Sequence, residues 1–354
     1  MRREIRPLDD DIRAAVIERA GAPGVLPQHH PVWVDVLLAM GEDCRGLVGL
    51  EDGKVAGWIL YTIRKAPLGI VVSSLPYLAY GGPGQPDGNT AVVPALLQAL
   101  RAEAVRIDAD VVSVGTSPWL GPEMKGVYRQ ALGATHEYEN FVQLHEISRH
   151  PLERLSGKRR SAFRSELNRA ARSGLRVKPA LAPEEFAGWL EIYRQRYSEI
   201  SANPYPPAFH RKAFELGVPA GVVEVWGVFD GPVLVGGNLF LVSSGSVDYF
   251  SSAFLSAYRS LFPNTFLLDE ALRDFAGRGL RCFNWQSSPE RGGVYQYKKR
   301  WGAYESRHYY LSALLKPGTR LLKAEIAEVR QAYPFRFVLP FSLWLDPMRA
   351  RKTK

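Results

Sequence analysis

The sequence predicts an α/β (α+β) protein built from two tandem domains, each a mixed β-sheet flanked by helices. Three observations lead there. The chain has 354 residues, more than one hydrophobic core usually serves. Its residues are 46% hydrophobic and 11% aromatic, enough for two cores, and 23% charged without low-complexity runs. Above all, one ordered series of elements occurs twice.

The series opens with a hairpin. "GLVGLEDGKVAGWILYTI" (46–63) alternates, turns at Asp52-Gly53 and alternates again; "GVVEVWGVFDGPVLVGGNLFLV" (221–242) does the same around Asp230-Gly231. A strand-like run follows, "IVVSSLPYLAY" in the first copy and "SVDYFSSAF" in the second. Next comes a helical pattern, "TAVVPALLQALRAEAVR" and then "NTFLLDEALRDFAGRG", whose glycines suit a C-terminal cap. Short strands lie in "ADVVSVGTSP" and "LRCFNWQSSP". A closing step pairs "GVYRQALGATHEYENFVQL" with "GVYQYKKRWGAYESRHYYL": a short helix, a Gly-Ala stop and an alternating strand. These matches set a first domain at residues 1–150 and a second at 151–315. A C-terminal helix and basic tail at 316–354 are expected to pack back on the first domain.

The second domain opens on "GKRRSAFRSELNRAARSGLRV". Ser156 reads as an N-cap, Phe163, Leu167, Ala170 and Ala171 as an apolar stripe, and Gly174-Leu175 as a Schellman stop. The other face carries Lys158, Arg159, Arg160, Arg164, Arg169 and Arg172. The whole chain has a net charge of +9, and nine Lys/Arg lie between Leu152 and Lys178 against Glu153 and Glu166. Such a face is either simply solvated or attracts phosphates, whether of nucleic acid, nucleotides or an anionic membrane.

Several classes are excluded. No apolar run approaches the 18 to 20 or so residues of a spanning helix, and "MRREIRPLDDD" is no signal peptide. Two distant cysteines, Cys44 and Cys282, fit a reducing cytosol rather than a disulfide framework or zinc cluster. The seven histidines show no metal-ligand spacing. The expected protein is cytoplasmic and metal-free.

The order of elements resembles the GNAT acyltransferase fold, and the tandem arrangement opened by a basic helix resembles the FemAB family more narrowly. The residues that carry this are "PQHHPVW" (27–33), "SLPYLAYGGP" (74–83), the basic helix at 157–177, "FPNTFLLDEAL" (262–272) and "CFNWQSSPERGGVYQYKKRWGA" (282–303). The last is similar to the family's "FdfG-s-…G-Y-FKk-fG" signature. The resemblance implies a transferase that forms an amide on an amine acceptor, a cell-wall precursor or a peptide or small-molecule amine, from aminoacyl-tRNA. The sequence departs from the pattern at Asn284-Trp285-Gln286, where an acidic residue and glycine are favoured, and at Val36-Leu37, where a lysine is usual. Both departures weigh against a cell-wall precursor, not against the fold.

Donor choice turns on the phosphate cradle. Coenzyme A enzymes of this fold use a Gln/Arg-x-x-Gly-x-Gly/Ala loop at a helix N-terminus, where free N–H groups face the pyrophosphate. "AYRSLFPN" (257–264) has no glycine, and Pro263 lacks an N–H. "GGPGQPDGNT" (81–90) lacks the Gln/Arg spacing and is broken by prolines. The expected co-substrate is therefore aminoacyl-tRNA with no further cofactor. An acyl-CoA-dependent N-acyltransferase remains the alternative, as does a non-catalytic RNA- or membrane-binding relative.

Amide formation from an activated ester needs a neutral amine, a stabilised oxyanion and a protonated leaving group. On a helix starting at Gly293, Val294, Tyr297 and Trp301 read as the buried stripe, with Tyr295, Lys298 and Lys299 on another face. Lys298 is the candidate for oxyanion or donor-phosphate contact, and the signature favours it over Lys299. Tyr295 is the candidate proton donor, though Tyr128 at the matching place in the first copy makes packing an equal explanation. Asp248, Tyr249 and Ser251 (with Ser252), on the second copy's central strand, are candidates for acceptor binding. Arg196 and Tyr197 end a helix at Pro183–Tyr197, before the loop "SANPYPPAF", which reads as a lid or a connector. Lys158, Arg159, Arg160 and Arg164 are the candidate tRNA-phosphate contacts. The aromatic and basic tail "YPFRFVLPFSLWLDPMRARKTK" packs on the first domain or touches the inner face of a membrane, which would suit a lipid-linked acceptor.

Overall fold

The computed structural model describes residues 2–345 except 75, 79, 201–202 and 289–290; the basic end of the tail, Met348–Lys354, lies outside the described residues. In chain order the elements are β1 (Arg3–Pro7), α1 (Asp10–Ala20), α2 (Val32–Leu38), β2 (Asp43–Glu51), β3 (Lys54–Ala66), β4 (Gly69–Ser73), α3 (Val93–Arg106), β5 (Val111–Gly115), α4 (Glu123–Leu132) and β6 (His136–Glu146). They continue with α5 (Gly157–Arg172), β7 (Leu175–Lys178), α6 (Pro183–Glu199), α7 (Pro207–Gly217), β8 (Val223–Asp230), β9 (Val233–Val242), β10 (Ser246–Phe254), α8 (Pro263–Gly277), β11 (Cys282–Asn284), α9 (Gly293–Arg300), β12 (Tyr304–Leu314) and α10 (Ile326–Ala332).

Local chemistry accounts for the boundaries. Asp52 and Gly53, at φ 48° and 81°, make the tight hairpin turn between β2 and β3. Both copies of the closing helix stop on a left-handed glycine, Gly133 (φ 63°) and Gly302 (φ 89°). In α5, Phe163 and Ala170 are buried and Leu167 packs beside them, while Ala171 is exposed, so the apolar stripe is narrower than the sequence implied. Ser156 stands at the N-cap position without a side-chain cap bond.

The chain divides into two compact units, 1–140 with 307–354, and 141–306. In the first the sheet runs β1-β2-β3-β4-β5-β12; in the second it runs β7-β8-β9-β10-β11-β6. The topology is the same in both, including the parallel pairs β4–β5 and β10–β11. The closing strands have changed places. The end of β6, from the first repeat, pairs antiparallel with β11, and the end of β12, from the second, pairs antiparallel with β5. Sequence similarity follows the repeats, and so it sets boundaries at 150 and 315; strand pairing sets them at 140 and 306. The alternating strands "ENFVQL" and "SRHYYL" look alike, and nothing in their pattern names a partner.

In the second unit a core of Phe163, Phe240, Phe275, Phe283, Trp285 and Trp301 fills the space between sheet, α5 and α8. In the first, α3 and α4 cover one face. The segment 320–341 covers β4 and β5 through Leu321, Val329, Tyr333, Val338 and Leu339. It is pinned by Arg336, whose guanidinium is fully buried and pairs with Glu42 at 2.5 Å. Removing one member of such a pair strands the other charge. Arg336→Ala is therefore expected to lower stability by about 3–5 kcal/mol, read as the urea midpoint, with the partly exposed Arg330→Ala as a near-neutral control.

Candidate active site

β10 and β11 pair through only three residues, Ser246–Asp248 with Cys282–Asn284, and then part. Two interactions fix the parting. Asp248, fully buried, accepts from Asn284 Nδ2 at 3.2 Å and Gln286 Nε2 at 2.7 Å. Gln286, in turn, has φ 63°, a left-handed conformation that directs the chain away from β10. The buried Asp248 therefore has partners. On β10 a register shift between Tyr249 and Ser251 sends neighbouring side chains to unexpected faces.

At the opening lies a pocket of about 400 Å³ between the free end of β10, the start of α8 and one side of α9. A chain of hydrogen bonds crosses its wall. Tyr249 Oη bonds Asn264 at 3.1 Å, and Asn264 Oδ1 accepts from Asn238 at 3.0 Å. Tyr297 Oη lies 3.5 Å from both Asn264 Nδ2 and Thr265 Oγ1. Thr265 donates to Glu166 at 3.0 Å, and Glu166 pairs with Arg300 at 2.5 Å. Burial holds the Tyr297 hydroxyl up at about 12 and pushes that of Tyr249 higher still, so both remain protonated donors at neutral pH. Arg196 and Arg259 line the same pocket; Arg196 pairs with Glu199 at 3.0 Å.

The candidates taken from sequence divide into those at this pocket and those elsewhere. Ser252 and Arg196 line it, and Tyr249 stands behind its wall, bonded to Asn264. Ser251 is not: its hydroxyl meets His210 Nε2 at 2.9 Å in an aromatic enclosure formed with Tyr205 and Phe250. Tyr197 stacks on Tyr193, centroids 4.3 Å apart. Tyr205, in the loop read as a lid, stacks on Phe250, and its backbone N–H bonds the Tyr193 hydroxyl, so this part of the loop is anchored; Ser201 and Ala202 lie outside the described residues. Lys158, Arg159 and Arg164 are exposed, whereas Arg160 donates to the carbonyls of Glu153 and Leu155 and caps the preceding turn.

On α9 the expected faces are corrected. Val294 is 65% exposed, and Tyr297 is a pocket residue; the buried side is Tyr295, Lys298 and Trp301. Trp301 claims the core against Phe163, centroids 4.4 Å apart, and rotates the helix accordingly. The Tyr295 hydroxyl donates to Glu305 at 2.8 Å, and exposed Lys299 lies 5.8 Å from its ring. The Lys298 amine donates to Ser288 Oγ at 2.8 Å and to the Gln286 and Ser287 carbonyls at 3.3 Å. It thus grips the residue that Asp248 holds from the other side. Neither Tyr295 nor Lys298 lines the pocket. The sequence does not single out Glu166, Asn264, Thr265 or Arg300 as site residues; "FPNTFLLDEAL" enters only through the family resemblance and "AYRSLFPN" only as a loop unfit for coenzyme A.

Residues 157–299 match the family model for the acetyltransferase (GNAT) domain. That match falls within the second unit. Its α8, with the pocket at its first turn, is the helix that follows the fold's central strand. Solved structures extend the likeness across both units. FemX matches with 14% identity and a TM-score of 0.67, over 87% of this chain and 97% of that one. The C-terminal domain of a protein named as a lysylphosphatidylglycerol synthetase, from Agrobacterium fabrum, matches with 15% identity and a TM-score of 0.60, over 92% and 100%. A tandem GNAT protein from the clavulanic acid biosynthesis pathway matches with 15% identity and a TM-score of 0.52, over 90% and 100%. The fold inferred from the repeated elements, tandem GNAT of the FemAB-like kind, is the fold observed. No curated protein matches the sequence.

Burial lowers the Lys298 amine to about 7 from an ordinary 10.5. Between those values the unfolded chain binds the extra proton and the folded one does not, so stability rises with pH across that window. Relative to Lys298→Met, which lacks the titration, the native chain should gain about 3 kcal/mol between pH 7 and 9.5, measured as paired urea midpoints. A constant difference across the window would show the amine is not titrating there.

Proposed function

We propose that the GNAT domain transfers an aminoacyl group from tRNA to an amine-bearing acceptor, in the manner of the FemAB-like enzymes its fold resembles. The observation that carries the donor choice is Glu166. The first turn of α8, where enzymes of this fold seat the coenzyme A pyrophosphate on free N–H groups, here has a carboxylate one hydrogen bond away, at Thr265. Pro263 removes one donor, and Glu166 opposes a second anion at the same place. Arg169 of α5 bonds the Ser260 carbonyl and lies over the Phe262 ring, so the basic face of α5 leads to the pocket's edge. An RNA backbone tracking Lys158, Arg159 and Arg164 would bring its 3′ end there.

The chemistry is then amide formation. The acceptor nitrogen forms a bond to the ester carbon, the carbon–oxygen bond to the ribose breaks, and the proton lost by nitrogen ends on the ribose oxygen. Tyr297, protonated and lining the pocket, is the group suited to pass that proton. Lys298 acts by holding the loop after β11, not on the ester. The acceptor's class is supported only by the names of neighbours, of which the lysylphosphatidylglycerol synthetase points to a lipid-linked one. A protein working at the cytoplasmic face of a membrane fits that reading; among the described residues no helix is long and apolar enough to cross one. The second reading, an acyl-CoA N-acyltransferase, draws on the tandem GNAT neighbour, which was solved without AcCoA.

Retention of aminoacyl-tRNA on filters, against thermal shift by acetyl-CoA, separates the two. RNA retention without a CoA shift is expected, and the reverse would overturn the proposal. Replacing Lys158, Arg159 and Arg164 together by alanine should reduce the slope of log affinity against log salt by about 2–3. Tyr297→Phe should lower kcat by about 100-fold or more.

A further inference from the structure

Three arginines line the pocket, yet its one carboxylate is set deeper than they are. The Glu166 side chain is 12% exposed, against 40% for its partner Arg300 and 37% for Arg196. Glu166 is also the single acid of α5, a helix with six Lys/Arg. On such a helix an acid would ordinarily pair with a cation a turn away along the solvent face. Glu166 instead reaches outward from its helix, to Thr265 on α8 and Arg300 on α9.

A carboxylate offers about four acceptor positions, and these two contacts use one on each oxygen. Beside it stand two hydroxyl oxygens that can accept, those of Thr265 and, 3.5 Å further on, Tyr297. A primary ammonium, with three donors and no acceptor, matches that wall; a phosphate or a bare acyl chain does not. We propose that Glu166, with Thr265 and Tyr297, recognises the ammonium of the transferred group, so that the pocket selects aminoacyl donors over plain acyl donors. The proposal rests on the reading of this pocket as the donor site. Discrimination comes from the wall itself: a donor without the N–H groups covers the remaining acceptor positions of Glu166 without filling them, the situation in which polar sites reject analogues most strongly.

The test uses the full chain and RNA hairpins ending in stable 3′-aminoacylamides (alanyl, seryl and lysyl), their N-acetylated counterparts, an uncharged hairpin and acetyl-CoA. At least one free-amine hairpin should bind about tenfold or more tightly than its N-acetyl form. Glu166→Gln should bring that ratio close to one while the uncharged hairpin is still retained, which also shows that the variant is folded. If free and acetylated hairpins bind alike to the native chain, and both more tightly than the uncharged one, the ammonium inference falls and the donor reading stands. If no charged hairpin exceeds the uncharged one and acetyl-CoA binds, the donor reading falls and takes the inference with it. A ratio that survives Glu166→Gln would assign recognition to another group and overturn the role given to Glu166.

Discussion

The bond between Asp248 and Gln286 is the constraint on which the second unit depends. Buried without partners, a carboxylate at the sheet's centre would cost several kcal/mol; with Asn284 and Gln286 it becomes the lock on the last paired residues of β10 and β11. Gln286 is a non-glycine residue in the left-handed region, a conformation that persists only where the surroundings over-determine it. Here they do: its side chain is held by Asp248, its N–H by Asn284 and its carbonyl by Lys298. Everything that makes a pocket follows from that turn. The strands separate, the end of β10 loses its neighbour on one side, and α8 and α9 present Asn264, Thr265 and Tyr297 to the gap.

Seen this way, the buried Lys298 and the buried Asp248 belong to one device, and neither needs to touch substrate to matter. The lysine donates to the carbonyls of Gln286 and Ser287, and its depressed basicity is the consequence of being sealed in beside them. Tyr295 belongs to the same scaffold through its bond to Glu305 and its edge-to-face contact with Phe141. The groups free to meet a ligand are one step further round the helix.

That rotation explains what the sequence could and could not convey. The repeated order of hairpin, strand, helix and closing step is written in local patterns, and those patterns survive folding because turns such as Asp52-Gly53 and stops such as Gly302 are dictated by backbone sterics. The basic helix was legible for the same reason. The identity of the inward face of α9 was not. Spacing allowed Val294, Tyr297 and Trp301 as one stripe or Tyr295, Lys298 and Trp301 as another, and hydrophobicity favoured the first. The structure takes the second because Trp301 packs between Phe163 and Trp285 while the loop after β11 takes the Lys298 amine as its hydrogen-bond donor. The exchange of closing strands was equally illegible, since backbone ladders carry no label for their partner. Asn264 and Thr265 gave a faint signal: two polar residues opening an otherwise apolar helix.

The two repeats share a topology, but among the described residues the matching cleft of the first is much the smaller. In the first unit the strands that correspond to β10 and β11 stay tied: beyond the ladder of β4 and β5, the Ser74 N–H bonds the Ser113 carbonyl, and the Gly115 N–H bonds the Ser74 hydroxyl. Gly82 runs so close to Gly115 and Tyr128 that a methyl group there would lie within 2.6 Å of the Gly115 carbonyl oxygen. Phe335, Arg336 and Phe337 then close the space from the other side, leaving about 50 Å³ where the second unit has about 400 Å³. Such a volume holds a water molecule or two and no acyl group. Tyr128, the counterpart of Tyr295, is fully buried there, its hydroxyl pushed well above the ordinary range by that burial. The tail that plugs this cleft is fixed by a charge pair which cannot open without stranding Glu42. The acyl transfer proposed above therefore belongs to the pocket of the second unit.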